Sequence, residues 1–209
     1  MNGYWERCWK DEDRAELYRY LDAYCGLQNR EIELFKEHGV VSVCDAACGF
    51  GAYTLAFASN GFGVQGFDIS ETAVEITRDG LKRFGFENVM LKTADILDTG
   101  YEDESFDGVV AHAILDHLTT DQASAALKEL LRIIRTNGLL MLSFDNAEED
   151  DFSDDYITLQ DGTMQYINGP RKGMLFSPFD WERIDEFLDG LEVVYQSENR
   201  REKIVILKK

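Results

Sequence analysis

Positive charge is scarce in this chain. Lysine and arginine number 21 against 40 aspartates and glutamates, a formal net charge of −19 at pH 7. Nucleic acids and anionic membrane surfaces are gripped by basic faces, so this balance argues against both as partners. Solubility is the plain consequence of so much acid. No apolar run approaches the ~20 residues of a membrane span. The first residues, with Trp5, Glu6, Arg7, Lys10 and Asp11, do not read as a secretory signal. Cys8, Cys25, Cys44 and Cys48 make no C-x-x-C pair, and the three histidines do not complete a zinc site with them. Reduced thiols in a cytoplasmic protein, with no bound metal, are the expectation. Internal repeats and linkers are also missing. A length of 209 residues, 44% hydrophobic, suits one α/β domain with a small appendage.

What is present is organised around Val40–Thr54. An apolar run, Val40-Val41-Ser42-Val43-Cys44, ends in Asp45. The turn Ala46-Ala47-Cys48-Gly49-Phe50-Gly51 follows, and then a helix begins. A buried strand feeding a glycine turn and a helix N-terminus makes a floor for a nucleotide. Glycine lets backbone and ligand approach closely, and the first helical N–H groups face the ligand. The next strand, Gly63–Asp68, again finishes in an acid. An acid at such a tip can accept hydrogen bonds from both hydroxyls of a ribose. Asp68 or Ser70 can equally cap the helix that runs on to Phe84. These features serve NAD enzymes as well as other nucleoside binders.

The remaining segments order themselves around that stretch. Residues 1–38 read as helical, with Leu17, Tyr20, Leu21 and Tyr24 on one face, a break at Gly26, and a second helix carrying Ile32, Leu34 and Phe35. Tyr4, Trp5, Trp9, Tyr18, Tyr20 and Tyr24 make this cap dense in aromatics, suited either to packing on a sheet or to covering a cationic ligand. Strands are expected at 88–92, from Phe106, and at 139–145. A helix from Thr120 closes at Asn137-Gly138. The acidic run Glu148–Asp155 lacks the order of a calcium loop and reads as solvated. Turn signals at Asp161-Gly162 and Asn168-Gly169-Pro170 flank a β-ribbon over 156–176 that carries Tyr166, with Arg171-Lys172 as a basic pair able to clamp an anion. Ser177 and Pro178 read as the cap and first position of a last helix. Two adjacent strands, near 191–195 and 203–207, close the chain as a hairpin.

Asp45-Ala46-Ala47-Cys48-Gly49-Phe50-Gly51 resembles the first motif, D/E-x-x-x-G-x-G, of class I S-adenosylmethionine-dependent methyltransferases. The block Phe106-Asp107-Gly108-Val109-Val110 through His117-Leu118 resembles that family's fourth-strand block, and the Asn137-Gly138 turn and closing hairpin are also its habits. Asp116 stands where many relatives have histidine, and His112 stands at the strand tip. The resemblance implies a Rossmann-like, doubly wound, seven-stranded sheet, mostly parallel, with a C-terminal antiparallel hairpin and an N-terminal helical cap. Within a single domain, 1–38 is the cap, 39–145 the cofactor-binding core, 146–177 a substrate-side insertion and 178–209 the closing helix and hairpin.

S-adenosylmethionine is the implied cofactor and S-adenosylhomocysteine the product. The implied cofactor contacts are Asp45, Ala46, Ala47, Cys48, Gly49, Gly51, Asp68, Ile69, Ser70, Ala94, Asp95, Ile96 and His112. His112 doubles as the candidate catalytic group, because the fourth-strand tip lies beside the transferable methyl in that family. Tyr4, Trp5, His117, Tyr166 and Arg171 are placed on the substrate side. A small-molecule acceptor is expected, with no nucleic acid, no membrane, and a monomer or homodimer. Three other readings stay open: a cofactor-binding sensor without turnover, an aminopropyl transferase of the same fold, and an NAD enzyme. The last is weakened because Thr54 replaces the third glycine of G-x-G-x-x-G.

Overall fold

The computed structural model describes residues 2–209. Its strands are β1 Ser42–Ala46, β2 Gly63–Asp68, β3 Met90–Thr93, β4 Phe106–Ala111, β5 Ile134–Asp145, β6 Tyr156–Thr158, β7 Met164–Tyr166, β8 Leu175–Phe176, β9 Glu192–Glu198 and β10 Glu202–Lys208. Its helices are α1 Asn2–Asp11, α2 Arg14–Leu21, α3 Arg30–Glu37, α4 Ala52–Ser59, α5 Glu71–Arg83, α6 Thr120–Ile133 and α7 Trp181–Phe187. Seven strands form one sheet in the order β3-β2-β1-β4-β5-β10-β9. β1 to β5 pair in parallel, and β10 runs antiparallel to both β5 and β9.

Strand side chains alternate between faces, so each central strand feeds two cores. Cys44, Val109, Val205 and Leu207 pack with Leu127, Leu130 and Ile184, under α6 and α7. Val43, Val110, Ile204 and Ile206 pack with Ile32, Phe35 and Phe57, under α3 and α4. Helices on both faces require strands that are apolar on both sides, and β4 reads that way from Val109 to Ala111. β1 is also where the strand order reverses, with β2 on one side and β4 on the other. Ligands of open α/β sheets bind in the crevice beyond the carboxyl ends of the strands at that reversal. Here the tips of β1 and β2 are the acid-ended segments Asp45-Ala46 and Phe67-Asp68.

Three boundaries differ from the sequence expectation: the end of α6 and the starts of β5 and α7. α6 ends at Ile133, and β5 begins at Ile134 rather than 139, because buried Ile134 pairs with Phe106. Asn137 and Gly138 then form an irregular stretch inside β5 instead of a helix cap. Asn137 has φ +65°, and a Cβ on Gly138 would lie 2.5 Å from the Asp107 carbonyl. α7 starts at Trp181, capped by Asp180, whose carboxylate accepts the Arg183 N–H at 2.8 Å. Ser177 does not cap it; its N–H is spent on the Asp116 carbonyl at 2.7 Å. Tyr20 is exposed, while Leu17 and Leu21 carry the buried face of α2. The 156–176 ribbon is a three-stranded antiparallel sheet, β6-β7-β8.

α1 is fastened on two sides. The Glu6 carboxylate accepts from the Ser70 hydroxyl at 2.6 Å, the Thr72 hydroxyl at 2.8 Å and the Thr72 N–H at 3.3 Å, at the N-terminus of α5. On the other side Arg7 donates to the Lys172 carbonyl at 2.7 Å, and Tyr4 to the Met174 sulfur at 3.3 Å. The hydroxyl of Ser70, then Lys10 and Thr72, hold the Glu6 carboxyl down at about 2, against an ordinary 4.5. A depressed folded-state pKa contributes stability above the unfolded value and loses it as pH falls toward the folded one. Glu6→Gln is therefore expected to lower the melting temperature by a constant amount from pH 8 to about 4.5. The gap from the parent should narrow below that. A gap that persists undiminished at pH 2.5 in thermal melts would mean the charge of Glu6 contributes nothing.

Candidate active site

The glycine turn is built by two positive-φ residues with no room for side chains. Gly49 has φ +55°, and a Cβ there would press on the Trp9 indole at 3.0 Å. Gly51 has φ +89° at the N-cap of α4, and its Cβ would meet the Thr77 methyl at 2.7 Å. Two acids fix the turn from beneath. Asp68 accepts the Gly49 N–H through one oxygen and the Ser70 N–H through the other, both at 2.9 Å. Asp45, 3% exposed, accepts the Thr54 hydroxyl at 2.5 Å. Burial raises both carboxyls, Asp45 to about 6, against the pull of those donors.

These groups open onto one cavity at the carboxyl end of the sheet, enclosing about 1000 Å³ of partly solvent-open space. Asp45, Ala47, Cys48, Gly49, Asp68, Ile69, Ala94, Asp95, Ile96 and His112 line it, together with Trp5 from α1. Asp95 is held by its own turn, accepting the Leu97 N–H at 2.9 Å. Two expected contacts lie just outside the lining and shape it: Ala46 is buried in β1, and Gly51 opens α4. Ser70 faces the other way. Its hydroxyl donates to Glu6 and accepts from the Ala73 N–H at 3.1 Å, so it is the α5 cap and the anchor of α1.

His112 sits just past the β4 tip with its ring centroid 4.7 Å from that of Tyr53. Its Nε2 lies 2.7 Å from the Glu202 carboxylate at the start of β10. Burial alone would lower the imidazole pKa. Glu202, with Asp145 and Asp45 behind it, outweighs that and holds it above the usual value.

Four expected substrate-side residues are elsewhere. Tyr4 is tied to Met174. The Tyr166 hydroxyl donates to the Asp151 carbonyl at 2.9 Å inside the core of the small sheet. Arg171 is clamped by Asp151 at 2.7 Å and Asp154 at 2.8 Å and lies over the Tyr166 ring. Its charge is fully used within the insertion, so it holds no anion for the cavity. The acidic run is correspondingly a structural clamp as well as a solvated loop, with a 3₁₀ turn at Glu149–Phe152. His117 lies behind the cavity wall, bonded through Nδ1 to the Leu175 carbonyl at 3.0 Å and edge-on to Trp5 at 5.0 Å.

The lining also includes Trp9, Phe50, Tyr53, Phe67, Ala113 and Ile114. Phe50 and Tyr53 flank the glycine turn three residues apart, a spacing that was open to inspection. Glu202 carries no local signal; only the antiparallel pairing of β10 with β5 brings it to His112.

A family model described as a methyltransferase domain matches residues 43–138, which run from β1 into the turn of β5. A tRNA (carboxymethyluridine(34)-5-O)-methyltransferase of Arabidopsis thaliana is 30% identical over 112 residues, covering 53% of this chain and 26% of that protein. A demethylmenaquinone methyltransferase of Staphylococcus aureus is 31% identical over 119 residues, covering 52% and 46%. The chain spans about half the length, or less, of the curated relatives it matches first. Among solved structures, an S-adenosylmethionine-dependent methyltransferase from Methanosarcina mazei superposes with a TM-score of 0.70 at 20% identity, over 87% of this chain and 98% of that one. That likeness is one of fold, over most of the chain. Over residues 43–138 the chain is thus similar to a methyltransferase domain, and its seven-stranded sheet has the fold of a solved S-adenosylmethionine-dependent methyltransferase.

Proposed function

We propose that the chain transfers the methyl group of S-adenosylmethionine to a small-molecule acceptor lodged between the glycine turn and α1. The observation that carries this reading is the convergence of Asp45, Gly49, Asp68, Asp95 and His112 on one cavity. The cavity fits the cofactor's parts. A carboxylate oxygen has two acceptor sites, and each oxygen of Asp68 spends one on a backbone N–H, which leaves one apiece for the ribose hydroxyls. The bare backbone at Gly49 admits the amino-acid end, with Asp45 beneath it. Asp95 and Ile96 take the adenine. Trp5, Trp9 and Tyr53 give the lining the aromatic rings that attract a cationic sulfonium.

The bound cofactor supplies an activated methyl, so no covalent intermediate on the protein is needed. The chain supplies alignment, which in well-oriented systems is worth ~7–11 kcal/mol of barrier. His112 holds its Nε2 against Glu202, and its Nδ1 has no hydrogen-bond partner among the described residues. That nitrogen is the proton acceptor for an O–H, N–H or S–H nucleophile, and Glu202 is the positioning residue that fixes the ring. The acid-rich surface favours a neutral or cationic small acceptor over RNA. An NAD reading is disfavoured by the antiparallel β9–β10 closure and by Thr54, whose hydroxyl is committed to Asp45.

Asp68→Ala is expected to weaken S-adenosylhomocysteine binding by ~1.5–3 kcal/mol for each charge-assisted bond lost. Unchanged affinity in a folded variant would reduce Asp68 to a helix and turn cap. For turnover, S-adenosylhomocysteine release is followed across pooled small metabolites. With the responding acceptor, His112→Gln should lower kcat by about 10²–10⁴-fold, far more than it weakens cofactor binding. Glu202→Gln should lower kcat by less, without moving cofactor affinity. Tight cofactor binding with no turnover on any pool would favour a sensor.

A further inference from the structure

Among the described residues, two acids and a histidine meet where the segment after β4 passes the end of β5. One carboxylate oxygen each from Asp116 and Asp145 and one imidazole nitrogen of His117 lie within 4.8 Å of one another. Sequence spacing hides this set, because Asp145 is brought to the pair only by β4–β5 pairing.

We propose that Asp116, His117 and Asp145 bind one divalent transition-metal cation behind the cavity wall, beside Trp5. Three observations support it. Asp116 is fully buried, and only one of its oxygens is satisfied: Oδ2 accepts the Asp145 N–H at 2.8 Å, while Oδ1 has no partner among the described residues. A buried carboxylate oxygen left unpaired is costly, and a cation is what would satisfy it. No lysine or arginine pairs with either acid among the described residues; their one ion-pair contact is His117 Nε2 to Asp145 Oδ2 at 3.9 Å. That distance is too long for a hydrogen bond and still within the roughly 4.2 Å that two ligands on one ion can span through bonds of about 2.0–2.2 Å. The imidazole is also in the right tautomer. Its Nδ1 meets the Leu175 carbonyl, which requires the proton there and leaves the Nε2 lone pair facing the acids. A metal-bound histidine is ordinarily fixed through its other nitrogen in this way.

The ligand set of one imidazole and two carboxylates suits zinc or manganese better than calcium, which takes oxygen ligands only. Asp145 is 44% exposed, so the cluster is open to solvent on its side. Trp5, which lines the cavity, rests edge-on against His117 and marks how near the two sites lie. Metal binding here is independent of the methyl-transfer reading.

The test uses the full chain after EDTA treatment and buffer exchange, titrated with Zn²⁺ by calorimetry and with Mn²⁺ by electron paramagnetic resonance, each against a Ca²⁺ control. One equivalent of Zn²⁺ or Mn²⁺ is expected to bind, with Ca²⁺ at least tenfold weaker. His117→Gln and Asp145→Asn should each weaken that binding at least tenfold. Asp145 is half-exposed, so its variant should keep the parent's circular dichroism and metal-free melting temperature. Zn²⁺ should raise the melting temperature of the parent and not of Asp145→Asn. Absence of stoichiometric binding below millimolar metal, or binding that survives in both variants or that Ca²⁺ matches, overturns the proposal.

Discussion

The carboxylate of Asp68 is the joint on which the rest depends. Through one oxygen it holds the Gly49 N–H of the turn after β1, and through the other it holds the Ser70 N–H at the entrance to α5. One buried side chain therefore fixes the strand tip, the turn and the helix start in a single frame. Its burial is unfavourable to the charge, and the backbone donors are what keep the charge tolerable there. Ser70, placed by that bond, caps α5 and at the same time receives Glu6, so the seat of α1 is set by the same frame. The cavity roof of Trp5 and Trp9 thus inherits its position from Asp68 at two removes.

The acidic excess is not spread as an undifferentiated coat. Asp107 at the start of β4 accepts from the Val41 and Ser42 N–H groups and the Ser42 hydroxyl, and pairs with Arg135 at 2.7 Å. Asp151 and Asp154 immobilise Arg171 and, through it, the small sheet. Asp161 caps the approach to α6 by accepting the Thr120 N–H at 2.7 Å. Asp107 and Asp161 thus accept backbone N–H groups that the segments at Val41–Ser42 and Thr120 leave without a backbone partner. Few acids are left for the cavity, and those that reach it, Asp45, Asp68 and Asp95, come from the strand tips.

Much of this was legible in the sequence, and the reasons are local. The turn from Asp45 to Gly51, the acid ending β2 and the paired strands at the end of the chain are written in contiguous residues. Each encodes a backbone constraint: positive φ, a buried strand or a tight reversal. The sheet and the cavity floor follow from them. What failed depended on distant partners. Arg171 looks like a free cation in a turn until Asp151 and Asp154 fold back onto it. Ser177-Pro178 looks like a helix start until the Ser177 N–H is claimed by Asp116. Asn137-Gly138 looks like a helix end until Ile134 is pulled into the sheet by Phe106. Glu202 beside His112, and Asp145 beside Asp116, arise only once strand order is known.

The central claim is that the cavity over Asp68 holds an adenosyl sulfonium cofactor. The most direct measurement is isothermal titration of the full chain with S-adenosylmethionine, S-adenosylhomocysteine and NAD under identical conditions. Saturable one-to-one binding of the first two, with none for NAD, is the result this structure leads to; binding of NAD alone would contradict it.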